Sequence, residues 1–88
     1  SSTPKDVFRL RVFFSGELTP EHRRKMFESH LTQHRSRLNY LRQQMQKFNG
    51  TPGSASPEMG DYLVLTGAIM REEMTCEWLQ KCIELAGG

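Results

Sequence analysis

Apolar side chains recur through the middle of the chain at alternating intervals of four and three residues. Such heptad spacing places an apolar seam along one side of a helix and is typical of helices that pack lengthwise. The seam is polar only at His34, which we interpret as a residue that fixes register. Its apolar members are Phe27, Leu31, Leu38, Leu41, Met45 and Phe48.

A second apolar stripe runs through the last third of the chain, where Ile69, Leu79 and Ile83 recur at helical spacing. Three further residues widen this stripe to one side: Leu63, Met70 and Met74. Gly67 within it would let another backbone approach closely. The pattern leaves open whether the stripe meets the other long helix, a second copy of the chain, or both.

Prolines mark where the helices begin. Thr19 before Pro20, and Ser56 before Pro57, are each a capping residue followed by proline at the first helical position. No stretch keeps the strict alternation of a strand. The sequence therefore predicts an all-α fold with helices over 5–15, 20–48 and 57–86, a short helix followed by two long ones.

The two long segments carry opposite charge. Residues 20–48 include seven basic and two acidic side chains, whereas residues 57–86 include two basic and six acidic ones. Opposite charges beside apolar seams favour helices lying side by side. The break over 49–56 is long enough for the chain to turn back. We predict an antiparallel helical hairpin of the coiled-coil kind that pairs into a homodimer.

The chain has 88 residues and a net charge of +2, enough for one domain over 1–88 and too little for two. No apolar run approaches the roughly 20 residues of a membrane span, and no secretory signal is visible. Cys76 and Cys82 lie on opposite sides of one predicted helix, so we interpret them as unbridged apolar residues in a reducing cytoplasm. The chain begins without Met, which suggests a piece of something longer.

Residues that carry chemistry do not form a recognisable site. His30 and His34 would share a helix face, but no third metal ligand accompanies them. Glu72 and Glu73 are adjacent and point about 100° apart on a helix, so we expect a solvated charged face rather than an acid/base pair. We predict no enzyme activity, no metal and no cofactor, and no membrane partner.

Aromatic side chains gather at one end of the predicted hairpin. An antiparallel return would bring Trp78 near Phe13 or Phe14 of the first helix. Such clusters are usually packing within a core or a dimer, and the alternative is a pocket for a planar ligand.

Residues 8–21, FRLRVFFSGELTPE, resemble the opening of the C-terminal domain of PadR-like transcriptional regulators of the virulence activator alpha type. The ending of that domain is similar to Gly67-Ala68-Ile69, Glu72-Glu73, Trp78-Leu79 and Cys82-Ile83. The resemblance implies a bacterial regulator whose C-terminal domain holds two protomers together. It also implies an N-terminal winged helix-turn-helix, missing from this chain, that reads DNA, and a cleft that can hold a small aromatic effector.

We therefore expect a dimerisation and regulatory domain that does not itself read DNA. Its seams would pack partly within one protomer and partly between protomers, so that dimer geometry sets the separation of two DNA-reading heads. Two alternatives stay open. A helical adaptor would be a stable monomer that binds a different protein, and a ligand-sensing module would show quenching of Trp78 fluorescence by planar aromatics.

Overall fold

Three helices account for most of the chain in the computed structural model, which describes residues 4–86. Helix α1 spans Pro4–Phe13, α2 spans Pro20–Met45 and α3 spans Met59–Ala86. A short 3₁₀ turn, Ser15–Glu17, follows α1. No strand occurs within the described residues. The all-α prediction is confirmed, and so is the packing of the two long helices against each other as a hairpin.

The starts of both long helices depend on hydroxyl side chains. Thr19 caps α2, because its Oγ1 accepts a hydrogen bond from the His22 amide at 3.2 Å while proline occupies the first turn. Ser56 Oγ similarly accepts from the Glu58 amide at 3.2 Å. The Met59 amide also donates to the Ser56 carbonyl at 3.1 Å, which makes a tight turn. Because of that turn, α3 begins two residues later than predicted.

Two helices end earlier than the apolar pattern predicted. Helix α2 stops at Met45 rather than at residue 48, because the amides of Lys47 and Phe48 bond three residues back instead of four. The chain then reaches Gly50, whose φ of +74° favours glycine. Helix α1 ends at Phe13 rather than at residue 15, where the Ser15 hydroxyl donates to the Val12 carbonyl at 2.6 Å. Residues 46–58 form the tip of the hairpin.

The core of the hairpin is small. Phe27 and Leu31 of α2 pack with Leu79 of α3, and Leu79 has no exposed surface. Cys82 and Ile83 pack against this cluster from α3 and are half-buried. The molecule is elongated, with principal extents of 52 × 28 × 16 Å. A long, thin hairpin of this kind leaves much of each helix without a neighbour in the chain.

Polar contacts fix the antiparallel register. Near the tip, Arg42 Nη2 donates to Glu73 Oε2 at 2.9 Å. At the opposite, open end, Arg23 Nε donates to the Ala86 carbonyl. Within residues 4–86, no helix combines the length and apolar content that crossing a bilayer requires.

Candidate functional site

A groove of about 780 Å³ lies where the three helices meet. Its aromatic wall depends on Phe8 of α1, which contacts both long helices. The Phe8 ring lies 3.8 Å from the ring of His30 on α2, measured between centroids. On α3, the ring of Trp78 lies 6.0 Å from Phe8 in an edge-to-face arrangement. Phe8 therefore joins α1 to the hairpin, together with Val12, and lines the groove.

Cationic groups dominate the charge around this groove. Three arginines line it, one from each helix: Arg9 of α1, Arg37 of α2 and Arg71 of α3. Glu72 is the one carboxylate among the described lining residues, and it already forms an ion pair. The groove thus offers an aromatic wall next to a positively charged rim, an arrangement that suits a planar ligand bearing negative charge.

Glu72 lies at the base of the groove and is only 6% exposed. Its Oε2 lies 2.5 Å from Nδ1 of His34, and its Oε1 lies 3.1 Å from Nε of Arg37. A carboxylate buried without such donors would be costly, so these two side chains of α2 allow α3 to carry a charge at the contact. The expectation that Glu72 belongs to a solvated face is wrong. Glu73 alone is exposed, where it pairs with Arg42.

His30 is half-buried between Phe8 and the rest of α2. Burial lowers the pKa of His30 below its ordinary value of 6.5, and the nearby His34 and Arg11 lower it further. The ring facing Phe8 is therefore more easily kept neutral than a free histidine. Among the residues the structure describes, no three His, Cys, Asp or Glu side chains come together as metal ligands would.

Helix α3 has a second apolar face, on the side opposite Leu79, and this face borders the groove at Met74 and Trp78. At about 100° per residue, its members lie within about 80° of one another around the helix. They are Leu63, Met70, Met74, Trp78 and Leu85, all of them exposed. Exposure reaches 67% at Met74 and 80% at Leu85, and large apolar side chains gathered on one exposed face are typical of an interaction surface. We call this set the outer face of α3.

The predicted packing seam lies inside the hairpin of one chain. Phe27, Leu31 and Leu79 form the core cluster, and Leu38 and Leu41 are buried farther along α2. The remaining members are half-buried: Met45, Phe48, Ile69 and Ile83. The Phe48 ring contacts Tyr62 of α3 edge to face at 5.2 Å.

The predicted aromatic cluster is divided into two parts. Phe13 and Phe14 contact each other edge to face at 5.0 Å, and Phe13 is 79% exposed. Trp78 has Phe8 as its ring neighbour instead. The difference follows from the face of α1 that meets the hairpin: Phe8 and Val12, four residues apart, point inward, whereas Phe13 is turned about 100° away.

Sequence reasoning missed two groups of this site, Phe8 and the pair of Glu72 with Arg37. For Glu72 a signal existed, because it lies three residues after Ile69 and four before Cys76 and so belongs to the inner stripe. Because Glu73 follows directly, both glutamates were interpreted as part of one exposed charged face. No comparable signal distinguishes Phe8 from the other aromatic residues of α1.

Cys76 and Cys82 both pack against the core cluster between α2 and α3, so the expectation that they lie on opposite sides of the helix is wrong; six residues leave them about 120° apart. Cys76 and Cys82 are free and half-buried. Burial raises the pKa of both thiols, and for Cys76 the Glu72 carboxylate raises it further. A raised pKa leaves less thiolate, so both groups are less reactive than exposed cysteines.

Comparison with known proteins identifies relatives of this chain. A family model described as virulence activator alpha C-term matches residues 4–86. The negative transcriptional regulator PadR of Bacillus subtilis (strain 168) is 31% identical over 86 residues, an alignment that covers 94% of this chain and 47% of the relative. The chain thus spans about half the length of the curated relative it matches. No solved structure shows a significant match.

Proposed function

The chain belongs to the virulence activator alpha C-terminal family of PadR-like transcriptional regulators, and from that membership we propose that its function is to join two copies of such a regulator. In this proposal the hairpin is the rigid body, and its uncovered apolar surface is the contact. DNA is read by another part of the regulator, a winged helix-turn-helix outside these 88 residues. The geometry of the pair then sets the distance between two reading heads.

The outer face of α3 carries the proposal. It has five large apolar side chains on one side of a single helix, all of them exposed, whereas Phe27 and Leu31 of α2 pack against the other side of α3 at Leu79. Met74 and Trp78 are at the edge of this face and also line the groove. Leu10 and Phe13 of α1, and Phe14 directly after α1, add further exposed apolar area. A domain of this size buries only about 60% of the surface of its unfolded chain, so a shared interface also supplies burial that one copy lacks.

Sedimentation equilibrium over a range of concentrations tests this function. The chain has a mass of 10.2 kDa, so a pair of chains has twice that mass. We expect the mass of a dimer down to low micromolar concentration. A folded monomer at every concentration would contradict the proposal and would favour an adaptor that binds a different protein.

The groove supports a second candidate function, the sensing of a small planar aromatic effector. Trp78 and Phe8 supply an aromatic wall, and Arg71 lines the groove beside them. Phe8 also joins α1 to the hairpin, so a ligand that displaces its ring would move α1. This mechanism makes the position of α1 the output of binding.

Trp78 is the only tryptophan in the chain and lines the groove, so binding there is measured by its fluorescence at a protein concentration where the oligomeric state is fixed. We expect benzoate to change this emission in a saturable way. Cyclohexanecarboxylate, which has the same charge but no planar ring, is the matched control and should leave the emission unchanged. Equal responses to the two compounds, or none to either, would contradict the sensing function.

A further inference from the structure

We propose that the outer face of α3 pairs with the same face of a second copy in an antiparallel arrangement, with Met74 on the twofold axis. This inference rests on the proposed function, since it specifies how the two copies meet. The occupant is a second copy because the face is complementary to itself, as the order of its residues shows. A twofold interface presents the same patch from both sides and therefore requires such self-complementarity.

The spacing of the outer face is the same when read in either direction from Met74. Including the two positions that complete the stripe, the intervals are 4, 3, 4, 4, 3 and 4 residues. The positions are Leu63, Gly67, Met70, Met74, Trp78, Lys81 and Leu85. Reversing the helix about Met74 therefore superposes every position of the stripe on another position of the same stripe.

The residues that this reversal brings together are compatible in size and polarity. Leu63 faces Leu85 of the second copy, and Met70 faces Trp78 of the second copy. Gly67 faces Lys81 of the second copy, whose aliphatic stem can lie there when the Arg71 guanidinium, which covers Gly67 in the single chain, turns aside; the Lys81 ammonium keeps its pair with Glu84 of its own helix. Met74 faces Met74 of the second copy, and the flexible thioether adapts well to such a contact.

A parallel pairing is disfavoured by charge. It would place each stripe residue opposite itself, so the two Lys81 ammonium groups would face each other within the contact. Antiparallel pairing separates these groups by roughly 14 positions along the helix, about 21 Å. The same arrangement leaves every apolar residue of the stripe with an apolar neighbour.

Arg71 gains a partner in this geometry. It forms no ion pair with another described residue, and its guanidinium lies over Gly67, 3.1 Å from where a Cβ would stand. In antiparallel pairs, corresponding sides of the two stripes face each other. Arg71 and Trp78 lie on the same side and only one level apart after reversal, so the guanidinium can contact the indole of the second copy.

The length of the repeat suits two nearly straight helices. Leu63, Met74 and Leu85 are separated by 11 residues each, which is three turns at 3.67 residues per turn. The stripe therefore runs almost parallel to the helix axis for about 33 Å. The remaining drift of about 20° per repeat is taken up by a slight right-handed supercoil, so contact can extend along nearly all of α3.

Disulfide formation distinguishes this geometry from the alternatives. In the 88-residue chain with Cys76→Ala and Cys82→Ala as background, Met74→Cys places two thiols on the axis, where the Cα atoms come within about 7 Å. We expect mild oxidation to give a covalent dimer. Met70→Cys in the same background is the matched control, because antiparallel pairing holds its two copies about 12 Å apart along the helix.

Each outcome has a defined meaning. Crosslinking of Met74→Cys but not of Met70→Cys supports the antiparallel pair. Crosslinking of both shows parallel pairing, and crosslinking of neither in a dimeric protein shows that another face is used. Both results overturn this inference while leaving dimerisation intact, whereas a monomeric parent chain contradicts the proposed function itself.

A second variant tests the axis without relying on oxidation. Met74→Glu places two carboxylates against each other, and we expect the dissociation constant of the dimer to rise at least about 100-fold. Because Met74 is exposed in the single hairpin, helix content should not change. Ser36→Glu, at an exposed position of α2, adds the same charge and should change the dissociation constant by less than about threefold. Equal affinities for the two variants would overturn the inference.

Discussion

The inner and outer faces of α3 are both apolar, but the chain covers only one of them. On the inner face Leu79 is 0% exposed beneath Phe27 and Leu31, whereas on the outer face Leu85 is 80% exposed. The two faces differ little in residue type. They differ because the loop at 46–58 brings α2 against one side only. Apolar spacing thus specifies that a face needs a partner, and connectivity decides whether the chain supplies it.

The largest expected difference is in folding, between variants that place aspartates at buried positions of the hairpin and variants that place them on the outer face of α3. Leu38→Asp with Leu41→Asp puts two unpaired carboxylates at buried positions of the hairpin, at a cost above about 5 kcal/mol. We expect an unfolded chain, measured as loss of helical circular dichroism. The matched control, Leu63→Asp with Met70→Asp on the outer face, should keep its helix content. If both variants unfold, the hairpin does not fold without its outer contact.

Substitution of the adjacent Glu72 and Glu73 compares a carboxylate buried on the inner face with an exposed one. The expected loss of stability is smaller than for the double aspartate variant. Glu72→Ala removes the buried carboxylate and leaves the donors His34 and Arg37 without their acceptor. We expect the free energy of unfolding to fall by about 2 kcal/mol, measured by urea denaturation. Glu73→Ala breaks only the exposed pair with Arg42 and should cost less than about 1 kcal/mol. Equal costs would mean that Glu72 is not held at the helix contact.

The smallest expected effect is the dependence of folding stability on pH that arises from His30, which lines the groove. Because burial lowers the pKa of His30 below 6.5, the unfolded chain binds this proton more readily than the folded chain does. This group therefore leaves stability unchanged above pH 6.5 and lowers it as the pH falls from there through the folded pKa.

Urea midpoints measured between pH 7.5 and pH 5 test this effect. His30→Gln should flatten the dependence on pH in that window, whatever its effect on stability at neutral pH. The matched variant His22→Gln, at an exposed position in the first turn of α2, should retain the slope of the parent. An unchanged slope in His30→Gln would contradict the assignment.

Much of the fold could be predicted because local rules and packing agree. Thr19 and Pro20 specify where α2 begins, and the structure confirms the cap through the His22 amide. The heptad spacing correctly predicts a long α2 whose apolar side faces α3. The predicted helix ends were less accurate. Phe48 continues the apolar spacing of α2, although the backbone has already left the helix there.

The site was harder to predict because it depends on contacts between distant segments. The position of Glu72 on the inner stripe was readable, but its tolerance there depends on His34 and Arg37 from another helix. The choice of Phe8 over Phe13 depends on how α1 is oriented on the hairpin, which no local spacing sets. Which of two apolar sides of α3 meets α2 is likewise a property of the assembled hairpin.

The tip of the hairpin has a practical consequence for protein engineering. Gly53 and Ser54 are exposed, and nothing lies within 4 Å of where a Cβ of Gly53 would stand. This loop is at the far end of the molecule from Phe8 and Trp78, and its residues belong to neither apolar face. It is therefore a site where an epitope or a fluorophore can be attached while the two faces of α3 stay as they are.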